Sequence, residues 1–206
     1  MMQQLRFHFI GLLFLIQANS GPLAGQSWDL VKDQYGIRIY ERQEVDKSLK
    51  AFKATATIRA PAEKVFTLIE DVYHTDWWGP NFSQISVLTY EKNRRARYYM
   101  MYDAPWPVAN RDLCVDVTVT IDPLKKIFKV NSVTLNGVIP QREDAVRIKD
   151  YKQSWTVSSS GVNLAQVVLE GYVDPAGSIP EWLSNRLIIE SPFYAISEIR
   201  RRVENK

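Results

Sequence analysis

The stretch Asp103-Ala104-Pro105-Trp106-Pro107-Val108-Ala109-Asn110-Arg111-Asp112 decides how this chain is read. It lies between two strand-like runs, residues 96–102 and 113–121. Two prolines around a tryptophan cannot continue a central strand, because proline offers no N–H to the ladder and fixes φ. The segment is therefore a stiff loop that carries a large apolar ring. An indole held in such a loop needs something to cover, and that makes Trp106 the first candidate functional residue.

The flanking sequence reads as antiparallel sheet. Upstream, residues 85–90 and 96–103 flank a basic turn at residues 92–95. Downstream, residues 113–121 and 127–133 flank Asp122-Pro123, and residues 145–149, 153–158 and 164–173 extend the series. Ser159-Ser160-Gly161 gives a hairpin signal. Nearer the N-terminus, residues 36–41 and 49–58 alternate apolar and polar as strands do, and residues 28–31 read as a short turn.

The period changes twice. Pro61 suits a first helical turn, after which Val65, Phe66, Leu68, Ile69 and Val72 share one face. His74 to Trp78 reads as a second short helical turn that ends at Gly79-Pro80. Near the C-terminus, Ser178 and Glu181 have capping-box spacing, with Pro180 tolerated in the first turn. Trp182, Leu183, Leu187, Ile189, Phe193, Ile196, Ile199 and Val203 then recur at helical spacing. At about 1.5 Å per residue this helix exceeds about 30 Å, and Pro192 is expected to kink it. The implied class is α+β: a curved antiparallel sheet wrapped around a long C-terminal helix, with a gap between them that forms a natural ligand cavity.

Composition bounds the function. The 206 residues suit one domain plus a leader, and a net charge of +3 from 26 basic and 23 acidic side chains is too balanced to imply nucleic acid. Residues 1–25 read as a secretory signal: Arg6 precedes an apolar run over residues 7–16, and Ala18-Asn19-Ser20 offers small residues for cleavage after Ser20, with Gly25 an equally readable site. The run is shorter than the roughly 20 residues that span a bilayer. Residues 26–206 are then the mature domain, exported to the periplasm or secreted. Cys114 is the only cysteine, so no intramolecular disulfide forms, and it reads as a small buried strand residue. Nucleophilic elbow, P-loop and zinc-helix motifs are absent. His74 is the only histidine beyond the leader, too few for a usual zinc site without carboxylates. No catalytic residue, metal or cofactor is expected.

A set of short motifs carries a resemblance to a known family. They are Trp28-x-Leu30, Gly36-Ile37-x-Ile39-Tyr40-x-Arg42, Ala60-Pro61-x-x-Lys64-Val65, Trp77, Asp103-Ala104-Pro105-Trp106-Pro107, Arg111-Asp112 and Gly177-Ser178-Ile179-Pro180-x-Trp182-Leu183. Their order over nearly the whole mature chain resembles the START domain, the StAR-related lipid-transfer family with the helix-grip fold, and its bacterial members in particular. The resemblance implies a deep apolar cavity beneath the terminal helix, with the 104–110 loop over its mouth and Trp106 as a lid. It implies a lipid or other hydrophobic small molecule as ligand. Some animal members carry a buried acid–base pair on the cavity strands; those positions fall near Tyr98 and Val117 here, with no clear counterpart.

The candidate cavity and gate residues are Trp77, Trp78, Tyr99, Met101, Trp106, Val115, Val117, Trp155, Val167, Leu169, Leu187, Phe193 and Ile196. Both faces of residues 97–103 are apolar, so the pattern alone leaves the inward face of that strand open. Residues 113, 115, 117 and 119 form a clearer inward face. A filled core demands the same residue types as a lipid cavity, and only volume separates them. Arg111 beside Asp112 reads as a fork that pins the loop. The basic clusters at residues 92–97 and 200–202 read as solvated surface, or as a site of transient contact with an anionic membrane. A monomer is expected. The competing functions are a protein-interaction or toxin-like module and a cyclase-like enzyme on the same scaffold.

Overall fold

The structure, a computed structural model, describes residues 27–47, 49–177 and 179–204. The leader and Ser178 lie outside these residues. Strands β1 (Asp29–Gln34), β2 (Ile37–Gln43) and β3 (Lys50–Ile58) lead into helix α1 (Ala62–Glu70). Then come β4 (Phe82–Glu91), β5 (Arg95–Tyr102), β6 (Asn110–Asp122), β7 (Ile127–Thr134), β8 (Ala145–Arg147), β9 (Asp150–Gly161) and β10 (Leu164–Asp174). The chain closes with α2 (Glu181–Asn185), a π-helical turn (Arg186–Glu190) and α3 (Ser191–Glu204).

The strands form one sheet in the order β1-β2-β3-β10-β9-β7-β6-β5-β4, with β8 parallel beside the start of β6. It curves around the C-terminal helix, the α+β arrangement read from the pattern. The apolar face of α1 meets it: Phe66 stacks on Phe128 of β7 at 4.7 Å between ring centroids, and Val65 is fully buried. A side chain of this size contributes about 1.5–3 kcal/mol on burial. Helix α3 lies against β2, β3 and α1, burying Ile196 and Ile199. At Gly171 an added Cβ would stand 2.6 Å from Cζ of Phe52 on the neighbouring strand. Glycine there lets the Phe52 ring lie over the backbone.

Several local expectations differ from what is found. Residues 28–31 are not a turn, because Asp29–Gln34 forms an edge strand on β2. This strand is nearly all exposed and so lacks the apolar alternation that would mark it. Residues 74–78 make a single turn closed by the Trp78 N–H on the Thr75 carbonyl at 2.9 Å, not a second helix. The last hairpin turns at Val162-Asn163, beyond the expected Ser-Ser-Gly. Helix α2 begins after Pro180 without a side-chain cap.

The break before Pro192 is a π-turn. Pro192 has no N–H for the Ile188 carbonyl, and its ring crowds that turn. The Ser191 N–H reaches back five residues to the Arg186 carbonyl, and Ser191 Oγ donates to the same oxygen at 3.1 Å. Single π-turns inside helices mark places where the ladder has been forced wide.

The outer face of β5 and β6 is covered as well. Segment 135–149 folds back over it, and Tyr99, Met101, Asp112 and Cys114 are buried there. Arg147 holds the cover. It donates to the carbonyls of Ile139 and Pro140 at 3.0 and 3.1 Å and makes a two-pronged bond to Asp112 at 2.7 and 2.8 Å. The expected Arg111–Asp112 fork is therefore not formed, since neighbours along a strand point to opposite faces.

Candidate functional site

Between the inner sheet face and the helices lies a cavity of about 150 Å³. Strands β5, β6, β9 and β10 contribute Tyr98, Met100, Val117, Trp155 and Leu169; the helices contribute Ile69, Leu183, Leu187, Pro192 and Ala195. The wall is mainly apolar, so the space favours a greasy guest over water. Small-molecule sites usually measure about 300–1,000 Å³. At its present size the cavity suits a slim guest, and a bulkier one requires α2–α3 to move outward.

Aromatic rings form one side of the wall. Trp77 meets Trp155 edge-on at 5.8 Å and Trp78 at 6.1 Å; Trp78 continues to Tyr98 at 5.2 Å and Phe82 at 6.3 Å, and Phe82 to Tyr102 at 5.4 Å. The indole N–H of Trp77 is buried without a hydrogen-bond partner, and so is the Tyr102 hydroxyl. Buried polar groups normally find partners, so such exceptions on a cavity wall need a reason.

A polar belt crosses the interior. Tyr98 shares a hydrogen bond with Ser132, and Tyr151 donates to Gln153 Oε1 at 2.8 Å. Burial pushes the pKa of both phenols up, so they stay neutral. At the β4–β5 end, the Glu70 carboxylate accepts from Tyr90 at 3.0 and 3.1 Å and from the Asn93 N–H at 3.3 Å. Burial, with the hydrogen bond to Glu70 second, pushes Tyr90 up to about 12.

The other end carries Tyr102 and Arg111, opposite each other in the β5–β6 register. Arg111 is buried and donates to the carbonyls of Pro175 at 3.1 Å, Ala176 at 3.2 Å and Ala109. It thereby ties the 103–109 loop to the segment before α2. Burial alone lowers its pKa.

The thirteen sequence candidates divide accordingly. Trp77, Trp78, Val117, Trp155, Leu169 and Leu187 line the cavity. Val115, Val167 and Ile196 face the same interior but are packed into the core away from the open space. Tyr99 and Met101 lie on the outer face beneath segment 135–149; they pair with Cys114 and Asp112, whereas Tyr98, Met100 and Tyr102 pair with the inward face. Phe193 turns toward β1, where the Lys32 ammonium sits 4.0 Å over its ring. Trp106 is 93% exposed at the loop tip and is not part of the wall. Its prolines hold the indole outward instead of folding it over the opening.

Sequence reading missed the polar belt, Tyr102 and the cavity position of Arg111. It also left the basic clusters without partners. Arg95 and Arg97 share Asp116, while Arg201 and Arg202 pair with Glu198 and Asp76.

Known proteins match along most of the chain. No family model matches. An uncharacterized protein of Pseudomonas aeruginosa is 26% identical over 190 residues, covering 91% of this chain and 92% of its own length. The phosphatidylcholine transfer protein of Mus musculus is 26% identical over 171 residues, covering 79% of this chain and 77% of its own. A STAR-related lipid transfer protein fragment from Xanthomonas axonopodis superposes with a TM-score of 0.75 at 28% identity, covering 86% of this chain and 98% of the fragment. In sequence and in fold the chain is similar to START domains, bacterial ones included. Its curved sheet and terminal helix are those of the helix-grip fold. Within this START-like fold, the apolar wall and the buried Arg111 are the surfaces the cavity offers.

Proposed function

We propose that this START-like domain encloses one lipid or other hydrophobic small molecule and carries it through water, acting as a binding module and not as an enzyme. The apolar cavity between sheet and helix carries this reading. Burial at about 25 cal/mol per Å² of apolar surface supplies the affinity, and the unpartnered Trp77 and Tyr102 groups supply orientation. The named relatives that act in lipid transfer support it.

The 104–110 loop and the terminal helix form the gate. The π-turn before Pro192 is the weak point at which α3 yields, and Arg111 is the tie that links loop to helix entry. The exposed Trp106 ring suits transient insertion at an anionic membrane surface, since indoles favour that interface. Residues 1–25 act as the signal that takes the chain to the periplasm or beyond, where residues 26–206 work as a monomer.

Native mass spectrometry of the protein purified from its own host, followed by solvent extraction, tests the reading. One stoichiometric apolar molecule is expected. Protein that is empty from its host, and takes up no lipid from vesicles, refutes it. For the gate, Trp106→Ala is expected to change ligand exchange rates while leaving folding untouched, and identical on- and off-rates in parent and variant would count against it.

A further inference from the structure

We infer that the guest is an amphiphile with one apolar body and one anionic head, a carboxylate or a phosphate monoester, and that the head sits between Arg111 and Tyr102. This rests on the reading of the cavity as a lipid site and names the class of lipid.

The charge inventory singles out Arg111. The other strongly buried guanidinium, Arg147, is neutralised by Asp112 at 2.7 Å. Arg111 is 5% exposed, lines the cavity and has no carboxylate within ion-pair distance among the described residues. Its three bonds to backbone carbonyls leave two of its five N–H groups free. A buried charge without a counter-ion is costly, and an anion supplied by the guest removes that cost.

A second observation points to the same place. The hydroxyl of Tyr102, cross-strand from Arg111, is buried, faces the cavity and has no partner. Arg186, from the π-turn, lies near enough for its charge to act on Tyr102. Arg186 gives one bond to Asn81 Oδ1 at 3.1 Å and has no carboxylate partner among the described residues. Tyr102 thus borders both the cavity, with Arg111, and an adjoining surface pocket that Arg186 lines.

The opposite end carries a buried carboxylate, Glu70, with no cation within ion-pair distance among the described residues. Seven residue steps along β5, about 23 Å, separate Tyr102 from Arg95, which shares Asp116 with Arg97. Glu91, at the same end, is paired with Arg94 at 2.9 Å and adds no net charge. An anionic head is repelled from that end and drawn to the Arg111 end, which orients the guest with its tail inward. Pinning of loops alone would use the carbonyl bonds of Arg111 but would leave the Tyr102 hydroxyl and the missing counter-charge without a purpose.

The test uses the full mature chain and three C16 probes: palmitate, hexadecyl phosphate and 1-hexadecanol, titrated by tryptophan fluorescence and calorimetry. At least one anion is expected to bind ten-fold or more tightly than hexadecanol, and the tighter anion names the head. Tyr102→Phe and Arg186→Gln are each expected to cut that preference three-fold or more, and Arg111→Gln to abolish it, while each variant still binds hexadecanol. Tyr102→Phe removes a group that has no partner, so it keeps the test open should Arg111→Gln fail to fold. Hexadecanol binding as tightly as both anions, or full preference retained in Tyr102→Phe and Arg186→Gln, overturns the inference and leaves the lipid cavity standing. Failure of all three probes to bind removes both.

Discussion

The β5–β6 hairpin has two buried faces, and they are finished differently. On the outer face, Asp112 accepts two bonds from Arg147 and one from the Tyr99 hydroxyl at 3.2 Å, and segment 135–149 seals the group. On the inner face, the Tyr102 hydroxyl has no partner, and Arg111 has only carbonyls. The same two strands supply both. A face that serves the fold satisfies its polar groups from within the chain, because an unpaired group costs about 1–3 kcal/mol. A face that leaves such groups idle against an open space is built for something the chain does not itself provide.

The largest expected effect lies on the outer face. Asp112→Ala leaves the Arg147 guanidinium buried and unpaired, and chemical denaturation should show a loss of about 3–5 kcal/mol. The double variant Asp112→Leu with Arg147→Met removes both charges at similar volume and should recover most of that loss. A loss below about 1 kcal/mol for the single variant would mean that the outer network is no more closed than the inner face.

Within β6 the contrast sharpens to two valines on one face. Val115 is fully buried in packed core, while Val117 borders the cavity. Truncation of Val115 to alanine should cost about 2 kcal/mol. Val117→Ala should cost about 1 kcal/mol or less, since a group beside a void has already lost contacts on that side. Equal losses would argue that the space beside Val117 is filled in solution.

The residues that carry periodicity were legible in the sequence. The proline-flanked Trp106 marked the loop, the change from period two to helical spacing marked α1, and the valine run marked the inward face of β6. The inward face of β5 was not legible, because tyrosine and methionine occupy both phases. Register resolves it. Tyr102 and Arg111 flank the loop as a pair, so even positions of β5 share a face with odd positions of β6. Anchoring the pairing at the two ends of the loop would have assigned Tyr98, Met100 and Tyr102 to the cavity. The cover by segment 135–149 left no such signal, because its only regular piece is the short strand β8. The partner of Asp112 therefore lay 35 positions away and looked like its neighbour Arg111.

The smallest expected effects make the sharpest comparison, because the chemical change is identical. Tyr99→Phe removes a hydroxyl that donates to Asp112, and should cost about 1 kcal/mol, with Arg147 still holding the carboxylate. Tyr102→Phe removes a buried hydroxyl that bonds to nothing, and deleting an unsatisfied polar group is neutral or mildly stabilising. Thermal and denaturant melts of the empty protein should place the two variants on opposite sides of this difference, with Tyr102→Phe within about 0.5 kcal/mol of the parent. Protein loaded with its native guest should behave otherwise: if Tyr102 waits for a ligand, loading should stabilise the parent more than Tyr102→Phe and should stabilise Tyr99→Phe as much as the parent. An equal response in all three would leave the Tyr102 hydroxyl as a packing defect and remove the physical distinction between the two faces.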